Sequence, residues 1–243
     1  MNRDNEVLPP RYALFDLDFC LLVGEPEVQK GAGSREHLTE VQIEGLPFKH
    51  YAINLEIMAQ IFKALQAQEI IVGFVTAGLY NAEVIRKFFE KIYDMPKDSL
   101  INAPFIGGRD FGGQFIMKGV KIRIAYKLRL FPNNAQITLI DDDVSHVHSA
   151  RELGYCAIIT HGYPNQSNDP DVEMLVNHYY LQEIIDKFGL DIDLPESLIS
   201  TERSQYTPLL QSRKAAQSKE QPQNDCLEIV KCLIRCIPCC TCI

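Results

Sequence analysis

Two aspartates separated by one residue, Asp16 and Asp18 in Phe15-Asp16-Leu17-Asp18-Phe19-Cys20-Leu21, close a short apolar run near the start of the chain. The alternation of a strand sends both carboxylates the same way. Three more acids, Asp141, Asp142 and Asp143, follow the run Ile137-Thr138-Leu139-Ile140. Adjacent carboxylates repel unless they are solvated, protonated or holding a cation. Thr76 ends another run, in Gly73-Phe74-Val75-Thr76-Ala77-Gly78. A hydroxyl there can donate to a phosphate oxygen, and the glycines let a loop approach closely. Lys118, at the start of a helical pattern, supplies a compensating positive charge, with Lys121 one turn further on as the alternative. Placed side by side in a parallel sheet, these acids form an oxygen-rich site suited to Mg²⁺, which takes a few carboxylates and keeps several waters. Such a cation offsets the repulsion and orients a phosphoryl group. Each piece alone also reads as ordinary structure: solvated acids at a strand end, or a strand-capping threonine.

The elements that must carry these residues are legible as short apolar runs at 12–17, 70–76, 137–140 and 156–160, each fit for a buried strand. Helical periodicity separates them at 53–67, 84–92, 120–130, 144–153 and 172–188. Strands alternating with helices predict an α/β fold: a three-layer Rossmannoid, mainly parallel sheet with helices on both faces. Ligands bind such sheets beyond the C-terminal strand ends. Two stretches break the alternation: 24–49, rich in Gly, Glu and Pro, and 104–119, whose paired glycines suggest a β-hairpin or flap. Cys20 sits in an apolar run and reads as core, while His146 and His148, two apart on a helix, face different ways and read as packing or surface residues.

The order Asp-x-Asp, Thr, Lys, Asp-Asp resembles the four motifs of the haloacid dehalogenase (HAD) superfamily over about residues 12–187. A response-regulator receiver domain uses similar residue types but places its acidic pair before the phosphoacceptor Asp, the reverse of the order here. The resemblance implies a phosphatase without a large cap domain, with Asp16 as the nucleophile that forms an aspartyl-phosphate. Asp18 would then protonate the leaving oxygen and later activate water. Thr76 and Lys118 would hold the transferring oxygens. Asp16, the main-chain carbonyl of Asp18 and Asp142 would ligate Mg²⁺, with Asp141 behind them or sharing the metal. The presence of Asp18 favours phosphate-ester hydrolysis over dehalogenation, and Cys20 departs from the Thr or Val usual at its position. With no room for a large cap, the site is expected to be open and to admit a phosphorylated protein side chain. A small phosphate ester such as a nucleotide, or an idle HAD scaffold that only positions a partner, are the alternatives.

A net charge of -8 over 243 residues and a pI near 5.3 leave no basic face for phosphate backbones, so nucleic acid is disfavoured as a partner. Residues 1–10 contain Arg3 but no apolar stretch, and nowhere do eighteen apolar residues run together. The expectation is a chain that neither enters the secretory route nor spans a bilayer.

Six of the eight cysteines fall in the last eighteen residues, which end in Cys240-Thr241-Cys242-Ile243. That is a C-a-a-X box, and prenylation of Cys240 by a prenyltransferase is the reading it supports, the terminal Ile leaning towards geranylgeranyl. One lipid chain anchors reversibly, so palmitoylation of Cys236 or Cys239 would firm the attachment, with Lys231 and Arg235 adding attraction to anionic lipid. Adjacent Cys239 and Cys240 lack the paired spacing of a zinc site. The expected organisation is an N-terminal extension at 1–11, the phosphohydrolase-like domain at 12–195, a flexible linker at 196–225 and a membrane-anchoring tail at 226–243. The expected location is the cytosolic face of a eukaryotic membrane, whether the protein is made there or delivered by an intracellular bacterium.

Overall fold

The computed structural model of the chain describes residues 8–30, 37–160 and 178–199. Its centre is a five-stranded parallel sheet in the order β6-β5-β1-β7-β8, formed by β1 (Arg11–Phe15), β5 (Ile71–Val75), β6 (Phe105–Ile106), β7 (Gln136–Asp141) and β8 (Cys156–Ile159). β1 lies in the middle, and the chain leaves it to one side through β5 and β6 and to the other through β7 and β8. The crevice at the C-terminal end of β1 is therefore the topological switch point of the sheet.

The strands read as unbroken apolar runs because both faces are covered. On one face Ala13, Phe15, Val72, Phe74, Ile140 and Ile158 pack against α2 (Leu55–Ala67), α3 (Ala82–Ile92) and α7 (Tyr179–Phe188). Phe15, Phe62, Phe74, Phe89 and Tyr93 meet ring to ring within this layer, mostly edge to face. The opposite layer holds α5 (Lys118–Lys127) and α6 (Val144–Glu152), and Tyr12, which alternates with Ala13, packs its ring on Phe131. Gly119 lets α5 and α6 meet closely: a Cβ there would lie 2.6 Å from the Ala150 nitrogen. α3 starts where it does because the Asn81 side chain accepts the Glu83 and Val84 N–H groups at 2.8 and 3.4 Å.

Three boundaries differ from the periodicity. The helix expected from 53 starts at Leu55, because Ile53 ends strand β4 (His50–Ile53) and Asn54 turns the chain at φ 50°. The stretch 24–49 belongs to a small arm, in which β2 (Leu22–Gly24), β3 (Leu38–Val41) and β4 form an antiparallel sheet in the order β2-β4-β3, with α1 (Glu25–Lys30) beside it. The hairpin expected at 104–119 is not formed: Phe105 and Ile106 add a parallel edge strand to β5, and Gly108–Phe111 make one 3₁₀ turn. Gly108 serves close approach rather than a hairpin turn, since a Cβ there would meet the Ala77 carbonyl oxygen at 2.4 Å. Short helices α4 (Lys97–Ile101) and α8 (Glu196–Ile199) complete the described chain. The start of the helix expected from 172, the rest of the linker and the cysteine-rich tail lie outside the described residues.

Candidate active site

The register of the sheet brings the acids together. Phe15 pairs with Ile140 across β1 and β7, so Asp16 and Asp141 follow at the same level. On the other side Phe15 pairs with Phe74, which sets Thr76 just beyond Asp16. Carboxylate oxygens of Asp16, Asp141 and Asp142 lie within 4.8 Å of one another. Lys118 Nζ, brought in by the close packing of α5 on α6, stands 2.5 Å from Asp16 Oδ2 and 2.9 Å from Asp141 Oδ2. All three side chains of that ion-paired set are almost wholly buried.

Four carboxylates, Asp16, Asp18, Asp141 and Asp142, thus share one ammonium. Burial, then repulsion by Asp16, pushes the Asp18 carboxyl up to about 6, against the opposing pull of a hydrogen bond from Tyr80 and the charge of Lys118. Burial and the charge of Asp16 likewise raise Asp141, and burial with the charges of Asp16 and Asp141 raises Asp142. For Lys118, burial works against the charge, but the Asp16 and Asp141 carboxylates outweigh it and raise its pKa. Among the described residues the centre is short of positive charge, and with its acids ionised Asp16 Oδ1 is left buried without a hydrogen-bond partner there. Donors that are all oxygen, with no His or Cys among them, fit a hard cation of the Mg²⁺ type rather than zinc or copper.

Thr76 is fully buried, and its hydroxyl oxygen accepts the Gly78 N–H at 2.9 Å, which leaves the hydroxyl proton to donate elsewhere. Lys121 does not reach the acids as Lys118 does: its Nζ donates to the Thr76 carbonyl at 2.8 Å and lies over the Phe111 ring. Asp143 turns away to cap α6, accepting the Ser145 N–H at 2.7 Å, while its own N–H donates to Asp141 Oδ1 at 3.0 Å. Cys20 is buried core. His146 is buried against Phe115, and His148 is exposed beside Glu152.

Three further residues beside the acids are not marked out as site residues by the sequence. Tyr80 donates its hydroxyl to Asp18 Oδ1. Arg109 Nε donates to the Leu79 carbonyl at 2.7 Å, and the Gly108 N–H to the Gly78 carbonyl at 2.9 Å, so the 3₁₀ turn braces the loop that presents Tyr80. Only the position of Tyr80, four residues after Thr76, hints at its role, and many loop tyrosines share such spacing.

No protein-family model and no curated protein sequence matches the chain. Among solved structures it is similar to an uncharacterized protein from Corynebacterium glutamicum, at 15% identity and a TM-score of 0.41, covering 76% of this chain and 98% of that one. It is similar also to a HAD family hydrolase from Deinococcus radiodurans with bound phosphate and sodium, at 13% identity and a TM-score of 0.42, covering 76% and 99%.

Proposed function

We propose that the chain is a Mg²⁺-dependent phosphohydrolase of the HAD type that cleaves phosphate monoesters through an aspartyl-phosphate on Asp16. The observation that carries this reading is the convergence of Asp16, Asp141 and Asp142 within 4.8 Å, with Lys118 Nζ on two of them, at the C-terminal edge of the central strand. Asp16, Asp142 and the Asp18 main-chain carbonyl would hold the cation, with Asp141 sharing or orienting it. The metal supplies the positive charge that lets a phosphate dianion approach these carboxylates.

The chain's own residues then divide the work. A carboxylate oxygen of Asp16 attacks phosphorus as the bond from phosphorus to the ester oxygen breaks. Asp18 passes its proton to that oxygen, releasing the alcohol. A pKa near 6 keeps part of Asp18 protonated at neutral pH, as a general acid requires. Asp18, now ionised, takes a proton from water, whose oxygen attacks phosphorus and breaks the bond to Asp16, giving inorganic phosphate. Lys118 and the Thr76 hydroxyl hold the phosphoryl oxygens while charge builds on them.

A phosphorylated protein side chain is the proposed substrate, because among the described residues the groove beside Asp18 is bordered by the small arm and the Tyr80 loop and no large cap domain covers it. Prenylation of Cys240, with Cys236 and Cys239 as further lipidation sites, is proposed to hold the enzyme at the cytosolic face of a membrane. Asp16→Asn is expected to abolish Mg²⁺-dependent turnover and acid-stable labelling by a radioactive phosphate ester. Turnover equal to that of the parent chain would refute the assignment. Cys240→Ser is expected to release the protein from membranes of a eukaryotic cell on fractionation.

A further inference from the structure

A groove of about 480 Å³ runs from Asp18 between the small arm and the loop that carries Tyr80. Its walls are largely apolar, with Phe19, Leu46, Phe48, Leu79 and Tyr80 among them. Phe48 is 45% exposed and Leu79 58%, so the described residues leave two large apolar side chains of this wall uncovered. The Phe48 ring lies stacked on His50, at 5.1 Å between centroids and 21° between planes, which fixes a flat apolar face in the wall.

Several of the polar atoms along the groove are engaged in holding it together. The Asn81 side-chain oxygen accepts two N–H groups at the start of α3. His50 Nδ1 pairs with the Phe48 carbonyl at 3.0 Å. Tyr80 gives its hydroxyl to Asp18, and Arg109 gives Nε to the Leu79 carbonyl. A sugar or nucleoside needs matched donors and acceptors for its hydroxyls and ring nitrogens, and burying them unmatched is costly. Among the described residues the lining also contains Asp18 and Glu27 against the single cation Arg109, so a leaving group carrying further phosphates meets no excess of positive charge there.

We infer that this groove is the leaving-group subsite and that its occupant is an aromatic ring, so that the substrate is an aryl phosphomonoester. The inference rests on the phosphohydrolase reading for the position of the phosphoryl group. With phosphorus at Asp16, the phenolic oxygen lies towards Asp18 and the ring extends between Phe48 and Tyr80. On cleavage the bond from phosphorus to the phenolic oxygen breaks and the proton of Asp18 goes to that oxygen.

The test is calorimetry on the full chain with Mg²⁺, comparing phenylphosphonate with methylphosphonate, neither of which can be hydrolysed. Phenylphosphonate is expected to bind at least about tenfold more tightly, the gain from burying one ring. Phe48→Ala and Leu79→Ala, both at partly exposed positions, are each expected to remove much of that gap. A peptide carrying a phosphonate mimic of phosphotyrosine separates the two sources of the ring. A further gain in affinity assigns it to a protein tyrosyl side chain, and affinity equal to phenylphosphonate assigns it to a free aryl ester. Equal affinity for the two small phosphonates, or an aryl preference intact in both variants, overturns the subsite. Failure of the phosphohydrolase reading shows differently: neither phosphonate binds, or the aryl preference stands while no ester, aryl or alkyl, is turned over in an Asp16-dependent way.

Discussion

Tyr80 donates its hydroxyl to the Asp18 carboxylate, tying the proposed general acid at the end of β1 to the loop that leads from the neighbouring β5 into α3. This hydrogen bond favours the ionised form and so opposes the burial and the Asp16 charge that raise Asp18 to about 6. Tyr80→Phe removes the opposing contribution. The limb of the pH–rate profile that reports loss of the acid is expected to move to higher pH, while Mg²⁺ affinity changes little. A full profile of kcat for variant and parent checks the shift, and coincident profiles would dissociate Tyr80 from the acid.

The two buried lysines of α5 are expected to fail in different ways. Lys118 faces Asp16 and Asp141, so Lys118→Met removes preorganised positive charge where the proposed phosphoryl group would sit, and kcat is expected to fall by about 10²–10³. Lys121 holds the Thr76 carbonyl, so Lys121→Met is expected to cost about 1.5–3 kcal/mol of stability and a smaller part of kcat. Single-turnover kinetics beside urea unfolding separates the two.

Protons and metal compete for the same carboxylates. Asp18, Asp141 and Asp142 all have folded pKa values above the ordinary 3.8. The stability such groups contribute is fully present below their unfolded pKa, near pH 4, and is lost as pH rises through the folded value, about 6 for Asp18. Metal-free protein is therefore expected to weaken from about pH 4 upward, and Mg²⁺, which displaces those protons, to restore more stability the higher the pH. At a hundredfold excess over Kd the gain at pH 8 is about 2.7 kcal/mol, or a Tm rise of roughly 5–10 °C, shrinking towards zero near pH 4. Thermal melts in EDTA and in Mg²⁺ across this range check both sign and size. Because Asp16 raises all three pKa values, Asp16→Asn is expected to stabilise the metal-free protein at neutral pH.

The parts of the fold visible in the sequence are those with local pattern. β1, β5, β7 and β8 announce themselves because strands covered on both faces must be apolar throughout, and acids directly after such runs stand out. Asp16, Thr76 and Asp141 were locatable for that reason. β6 has two residues, Phe105 and Ile106, too few for any period, and it exists because β5 offers an edge to pair with. The choice between Lys118 and Lys121 depends on how closely α5 lies on α6, which Gly119 sets at the contact between the two helices. The Tyr80 contact joins residues 62 positions apart with no periodicity to betray it.

Gly119 supplies a test that changes no charged group. A Cβ at this position would sit 2.6 Å from the Ala150 nitrogen and the Ser149 carbonyl carbon, both backbone atoms of α6 that cannot swing aside. Gly119→Ala must push the first turn of α5 outward, and Lys118, its neighbour, moves with it. Overpacking of this kind is expected to cost about 1–3 kcal/mol, which leaves a folded population in which the ammonium no longer bridges Asp16 and Asp141. The variant is therefore expected to lose kcat at temperatures where circular dichroism shows it fully folded. Its Mg²⁺ requirement should also sharpen, since the cation then carries the neutralisation alone. Normal kcat in a destabilised Gly119→Ala protein would show that the position of Lys118 tolerates movement, and that the short ion pair to Asp16 is not what organises the centre.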